Sequence, residues 1–279
     1  MSVESSLKVF VSVDMEGISG IVDGSMTGRD QPDYQKGRAL MVGDVNAAIE
    51  GILTLGEAEI VVSDGHGSMT NIEPEELNRA ATLARGTPKP LSQMAGIDGS
   101  FDAAVFVGYH SMKGTLRGVL SHTFSGRAIE SLRINGMEVG ETAMNAAIAG
   151  YHGVPLVFVS GDLAVTREAK ALNPEIEVVA VKEAVSRTAA KCLNPARARE
   201  LIREKVTRAL EKRKSIEPFS FESPIEVLVR YTNAGMADAV GFMPSSERVD
   251  GKTIRFVLDD YLKAFGAFRA SVYIAGAVS

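Results

Sequence analysis

Asp14 and Glu16 close a short apolar run, Val9-Phe10-Val11-Ser12-Val13, that reads as a buried strand. Alternate side chains of an extended chain share a face, so the two carboxylates point the same way. Side by side they repel and lose hydration, and a cation between them relieves both costs. A metal ion is the economical candidate. The other reading is a pair of solvated acids where a strand gives way to a loop. The histidines bear on that choice. There are four: His66, His110, His122 and His152. Residues 59–63 form an apolar run that empties into Asp64-Gly65-His66, and residues 103–107 form another that ends at Gly108-Tyr109-His110. Taken singly, each histidine reads as a satisfied polar residue. Jointly with Asp14 and Glu16 they suit zinc or a similar divalent ion, and a shared carboxylate can bridge two ions.

Glu141 and His122 are less determined. Glu141 opens a helix of small residues, where the helix dipole alone favours an acid. Brought to the same sheet edge it would be a further ligand, and spacing leaves both readings open. His122 lies in Leu120-Ser121-His122-Thr123, where position favours a polar strand residue. Near a metal but not bound to it, such a histidine would shuttle a proton or stabilise an oxyanion. His152 reads as a helix-end residue, and the single cysteine, Cys192, is expected to be buried and inert.

The elements that must position these groups follow from periodicity. Strands are predicted at 9–13, 59–63, 103–107, 155–159 and 177–181, the fourth ending at Ser160-Gly161-Asp162. A helix is predicted over 34–55, closed by Gly56, and a second from Glu141 to Gly150. Residues 117–139 are predicted to be β-structure with a tight turn at Asn135-Gly136. The segment 18–32 is a lid or a plain surface loop. Short apolar strands alternating with helices give an α/β fold: a mostly parallel sheet with helices on both faces. In such sheets ligands bind outside the carboxyl ends of the strands, and those ends carry Asp14, Glu16, Asp64, His66, His110 and Asp162. Beyond 186 the pattern changes to a basic amphipathic helix at 196–214, strands at 225–231 and 253–258, and helices at 234–240 and 261–274. The expected division is a catalytic α/β domain, 1–185, and a smaller α+β C-terminal domain, 186–279, serving assembly and pocket closure.

Composition narrows the classes. The chain has 279 residues, 45% hydrophobic and 23% charged, an ordinary globular balance. A net charge of −5 argues against a nucleic-acid partner, and the basic helix reads as a solvated face. One cysteine excludes an internal disulfide framework and a cysteine-based metal site. The first residues show no secretory leader, and no stretch approaches the ~18 apolar residues that span a bilayer, so a cytoplasmic protein is expected. Dinucleotide, phosphate-loop, serine-elbow and H-E-x-x-H signatures are missing.

Together these residues are similar to the D-aminopeptidase family. The resemblance rests on Ser12-Val13-Asp14-Met15-Glu16-Gly17-Ile18-Ser19-Gly20, Asp64-Gly65-His66, Gly108-Tyr109-His110, Ser121-His122, Ile134-Asn135-Gly136 and Val139-Gly140-Glu141. It continues through Ala149-Gly150-Tyr151 and Gly161-Asp162, and so spans nearly the whole chain. It implies a centre of two divalent ions, zinc by family habit. Asp14 would bridge, with Glu16 and His66 on one ion and His110 and Glu141 on the other. His122 would be the catalytic histidine that binds no metal. It further implies hydrolysis of short peptides or amides with a free N-terminal D-amino acid, and a ring-shaped homo-oligomer. Residues 22–31 and much of the C-terminal part match less well. Two rivals remain: a two-metal phosphoesterase, for which Arg38, Arg117 and Arg127 are the available basic groups, and a non-catalytic metal- or peptide-binding protein.

Overall fold

The computed structural model describes residues 6–278; the segment 1–5, read above for a leader, lies outside them. The chain runs β1 (Leu7–Val13), α1 (Tyr34–Leu53), β2 (Ala58–Asp64), β3 (Ala81–Ala84), β4 (Ala103–Tyr109), β5 (Ile129–Ile134) and β6 (Met137–Glu138). It continues with α2 (Glu141–Tyr151), β7 (Leu156–Asp162), α3 (Leu163–Leu172), β8 (Glu177–Ser186), β9 (Ala189–Cys192) and α4 (Pro195–Glu211). The last elements are β10 (Ile225–Tyr231), α5 (Ala234–Val240), β11 (Ser246–Arg248), β12 (Thr253–Leu258) and α6 (Tyr261–Ala277).

The apolar runs that read as two-sided strands form one seven-stranded sheet, ordered β3-β2-β1-β4-β7-β8-β9. It is parallel except for the edge strand β9. Alternation along β1 feeds both faces. Val9, Val11 and Val13 pack with α1 and α4, while Phe10 packs on the side of α2 and α3. Each such fully buried aliphatic or aromatic side chain contributes about 1.5–3 kcal/mol. The expected α/β architecture therefore holds. The strand order also places β1 at the switch point, with β2 on one side and β4 on the other. A crevice opens there at the carboxyl ends of the strands.

The second sheet is antiparallel, ordered β11-β12-β10-β5-β6. Its composition differs from a division at 185/186. The β5–β6 hairpin, turning at Asn135-Gly136, pairs with β10, and α4 packs against α1 on the parallel sheet. The reason lies in the side chains. β10 alternates buried and half-buried residues and requires a partner on both edges, whereas Ala198, Ile202, Val206 and Ala209 of α4 face α1. The basic side of that helix is bound up in ion pairs, with Lys205, Arg208 and Lys212 all on Glu177.

Three further differences have local causes. Residues 117–128 are not strand: Arg117, Leu120 and Phe124 take positive φ (57°, 51° and 55°), which no extended run accommodates. α3 was not expected and begins directly at Asp162, which caps it by accepting from the Val165 N–H. Cys192 is exposed rather than buried, because it ends the edge strand β9. His152 is, as expected, a helix-end residue, the C-cap of α2.

Candidate active site

The ends of β1 and β4 are stitched before any ligand is considered. The Asp14 N–H donates to Val107 O (2.9 Å) and the Gly17 N–H to Gly108 O (2.8 Å). Two glycines allow this approach. A Cβ on Gly17 would stand 1.9 Å from Tyr109 O, and one on Gly108, whose φ is +72°, would stand 2.3 Å from Asp14 O. The loop that carries Glu16 is fixed from across the sheet. The buried Lys182 of β8 donates to the carbonyls of Glu16 (2.6 Å), Ile18 (2.9 Å) and Ile21 (2.6 Å), and its burial pulls its pKa down to about 8. Asp44 of α1 holds the same loop by accepting from the Ser19 N–H and hydroxyl.

This frame brings the six predicted residues together. Asp14 sits between two imidazoles: Oδ1 lies 3.3 Å from His66 Nδ1, and Oδ2 lies 3.3 Å from His110 Nε2. Glu16 Oε2 is 2.9 Å from His66 Nδ1. Glu141, at the start of α2, places Oε1 3.3 Å from His110 Nε2 and 3.8 Å from His122 Nε2. The His110 and His122 rings stack with centroids 4.0 Å apart. Asp14, Glu16, His110 and Glu141 are buried, while His66 and His122 reach the surface in part.

Backbone carbonyls decide which nitrogen of each imidazole carries the hydrogen. Thr27 O is 2.9 Å from His66 Nε2, Ser111 O is 3.0 Å from His110 Nδ1, and Leu120 O is 2.9 Å from His122 Nδ1. A carbonyl only accepts, so each of these nitrogens donates, and the opposite nitrogen turns its lone pair toward the carboxylates. His110 Nε2 consequently is buried without a hydrogen-bond partner, facing two carboxylate oxygens. Lone pairs from imidazole and carboxylate converging on one point suit a cation. The charge balance likewise favours a positive charge at this point. Burial works against charge on His66 and His110, but Glu16, Glu141 and Asp14 outweigh it and hold both imidazoles well above their usual range. Burial also works against charge on Asp14, Glu16 and Glu141, and the histidines overcome it, holding all three below the usual carboxylate range. Two groups of donors lie within 4.8 Å of one another, Asp14–Glu16–His110 and His110–His122–Glu141.

Other groups orient the cluster, and the sequence did not single them out. Gln93 Nε2 donates to Glu141 Oε2 (2.6 Å), and the Phe124 N–H donates to Oε1 (2.6 Å). Gln93 is held in turn by Asn145, which also donates to the Tyr109 hydroxyl, itself 2.7 Å from Ser12 Oγ. Asp64 and Asp162, placed at the same edge by sequence, stay out of the cluster. Asp64 accepts from the Ile72 N–H and from the Asn71 side chain and N–H, and Asp162 from the Val119 and Val165 N–H groups. Gln93 sits in a polar connection with no motif around it. Arg269, which lines the cavity above the cluster, had one legible signal: with Lys263 it is one of only two charged residues in α6.

That cavity has a volume of about 150 Å³ and is lined by Asp14, Glu16, His66, His122 and Glu141. A larger cavity of about 730 Å³, bordered by Lys113, Arg117 and Arg187, contains no member of the cluster. Arg38 is engaged with Glu76 and Asn71 O and does not line the smaller cavity; neither does Arg127.

An α/β sheet that gathers three carboxylates and three oriented imidazoles at its switch point defines a protein with a metal-type polar centre. The chain belongs to the D-aminopeptidase family, peptidase family M55, whose model matches residues 7–270. It is 36% identical to a D-aminopeptidase of Bacillus subtilis (strain 168) over 270 residues, covering 96% of this chain and 98% of that one. Its fold matches the Zn-dependent D-aminopeptidase DppA from Bacillus subtilis, described as a self-compartmentalizing protease. The TM-score is 0.93 at 35% identity, over 96% of this chain and 98% of that one.

Proposed function

We propose that this protein is a zinc-dependent aminopeptidase that cleaves short peptides or amides bearing a free N-terminal D-amino acid. The observation that carries the reading is the unpartnered His110 Nε2, aimed with the carboxylates of Asp14 and Glu141 at one point. Asp14 would be shared by two ions, since its two oxygens face different imidazoles; Glu16 and His66 would complete one set, His110 and Glu141 the other. Zinc held there would supply a Lewis acid for the scissile carbonyl and a nucleophile ionisable near neutral pH.

The protein's own groups do the rest. The substrate's free terminal amine would be held at this centre, which favours cleavage after the first residue. Two features support a non-ligand role for His122. It is the more accessible of the stacked pair and the farther from Glu141, and both favour contact with substrate. Its Nε2 lone pair would first take up a proton from the nucleophile, and the Nε2–H so formed donates to the developing oxyanion or protonates the leaving amine. Family membership and the kinship with a relative described as self-compartmentalizing support a homo-oligomeric ring, in a cytoplasmic protein.

The test is metal per chain by elemental analysis together with turnover of matched D- and L-peptides. About two zinc ions per chain and cleavage confined to N-terminal D-residues are expected. Hydrolysis of phosphate esters instead of peptides would establish the rival two-metal reading. His122→Ala is expected to keep its metal and lose turnover by about 10²–10⁴-fold; loss of metal would make His122 a ligand.

A further inference from the structure

The cavity over the cluster has a second pole. Arg269 of α6 lines it together with the carboxylates of Asp14, Glu16 and Glu141. Its guanidinium lies 5.0 Å from the centroid of the Phe124 ring and 5.1 Å from that of Tyr273. Phe124 therefore has two contacts that matter: its ring carries the cation, and its N–H donates to Glu141 Oε1 at 2.6 Å. Arg269 is thus one residue removed from the centre.

Arg38 pairs with Glu76 and Arg85 with Glu73, but no carboxylate pairs with Arg269 among the described residues. Its hydrogen bond goes to the Tyr273 hydroxyl, at 3.3 Å. Aromatic faces hold a guanidinium flat and leave most of its N–H donors directed outward. A planar, permanently charged fork that is held in place and unpaired suits a carboxylate, which it binds through two parallel hydrogen bonds.

We infer that Arg269 binds the C-terminal carboxylate of the substrate and so selects short peptides with a free carboxyl end. The inference rests on the aminopeptidase reading and adds the other end of the substrate to it. A short peptide has two distinct ends, and the cavity has two poles to match: the cluster for the free amine, Arg269 for the carboxylate. Size agrees. The cavity, about 150 Å³, has room for a residue or two beside the cluster. In a dipeptide the terminal carboxylate follows the scissile amide by a single residue, a Cα–Cα step of about 3.8 Å.

The experiment compares D-alanyl-glycine with D-alanyl-glycinamide, which differ only in the terminal charge, on zinc-loaded wild type, Arg269→Gln and Arg269→Lys. Wild type is expected to favour the free acid in kcat/KM. Arg269→Gln should lower the acid-to-amide ratio by about 10–100-fold, mainly through KM of the acid, with metal per chain unchanged. Arg269→Lys keeps the charge without the fork and should fall between; it carries the test if the glutamine variant fails to fold. A ratio unchanged in the variants, or a wild type indifferent to the terminal charge, overturns the assignment. A wild type that cleaves neither compound overturns the aminopeptidase reading itself, and that failure is visible before any variant is made.

Discussion

Asp14 and Asp64 end adjacent parallel strands, and both are fully enclosed, yet their surroundings differ in kind. Asp64 accepts from backbone N–H groups and the Asn71 amide, and so shapes the turn through 66–72 that presents His66. Asp14 takes one N–H bond, from Met15, and turns its oxygens to imidazole nitrogens whose other side is already fixed by carbonyls. A carboxylate surrounded by amide hydrogens is satisfied by the fold. One surrounded by lone pairs requires something the chain does not contain. Position at a strand end is common to both; the hydrogen-bond inventory separates them.

The sharpest way to break this contrast is to remove the charge from each in turn. Asp14→Asn should lose zinc, reduce turnover by on the order of 10³-fold, and melt at a temperature that a chelator no longer changes. Asp64→Asn should keep its metal and its chelator-sensitive melting while losing about 1–3 kcal/mol of stability. Denaturation with and without chelator, beside metal analysis, reads both; a metal-free but otherwise normal Asp64→Asn would erase the distinction. A smaller effect is expected one step outward. Gln93→Leu removes the donor to Glu141 Oε2 and should weaken zinc binding by about 10–100-fold in a chelator competition.

Glu168 sharpens the comparison from a third side. It accepts from the Met112 N–H (3.0 Å) and the Thr115 hydroxyl (3.0 Å), but burial dominates and pushes its pKa up to about 7. A carboxyl whose folded pKa exceeds its unfolded value near 4.5 binds more protons when folded. Its contribution is complete below that unfolded value and is lost as pH rises through about 7. Glu168→Gln should flatten that part of the stability profile, gaining about 1–3 kcal/mol over wild type above pH 7 in urea titrations run from pH 5 to 9. An unchanged slope would show that Glu168 is ionised throughout.

The parts of this molecule legible in the sequence share a cause. Strands buried on both faces announce themselves as unbroken apolar runs, so the parallel sheet and the residues at its strand ends could be read directly, Asp14, His66 and His110 among them. Glu141 and His122 were candidates whose bland readings stayed open until the family resemblance favoured the functional ones; for His122 the chain bends at Arg117, Leu120 and Phe124, where side-chain-bearing residues take left-handed backbone angles that no pattern signals. Gln93 and Arg269 lie outside every motif, since a hydrogen bond to a ligand or a place on a cavity wall depends on tertiary packing rather than on neighbours in the chain. The hairpin at Asn135-Gly136 was legible as a hairpin, but not its membership of the second sheet, for its partner β10 lies far downstream.

An ammonium has three hydrogens, and Lys182 has three carbonyls to give them to, those of Glu16, Ile18 and Ile21. The side chain is therefore closed to any incoming group, and the loop it gathers is set in shape by a residue from β8. In the proposed centre Glu16 would meet its cation on a rigid floor. Adaptation to different substrates falls to the opposite wall, where Arg269 rests on aromatic rings instead of being bonded into the sheet. Variation in what this enzyme accepts should arise along α6, while the floor stays as it is.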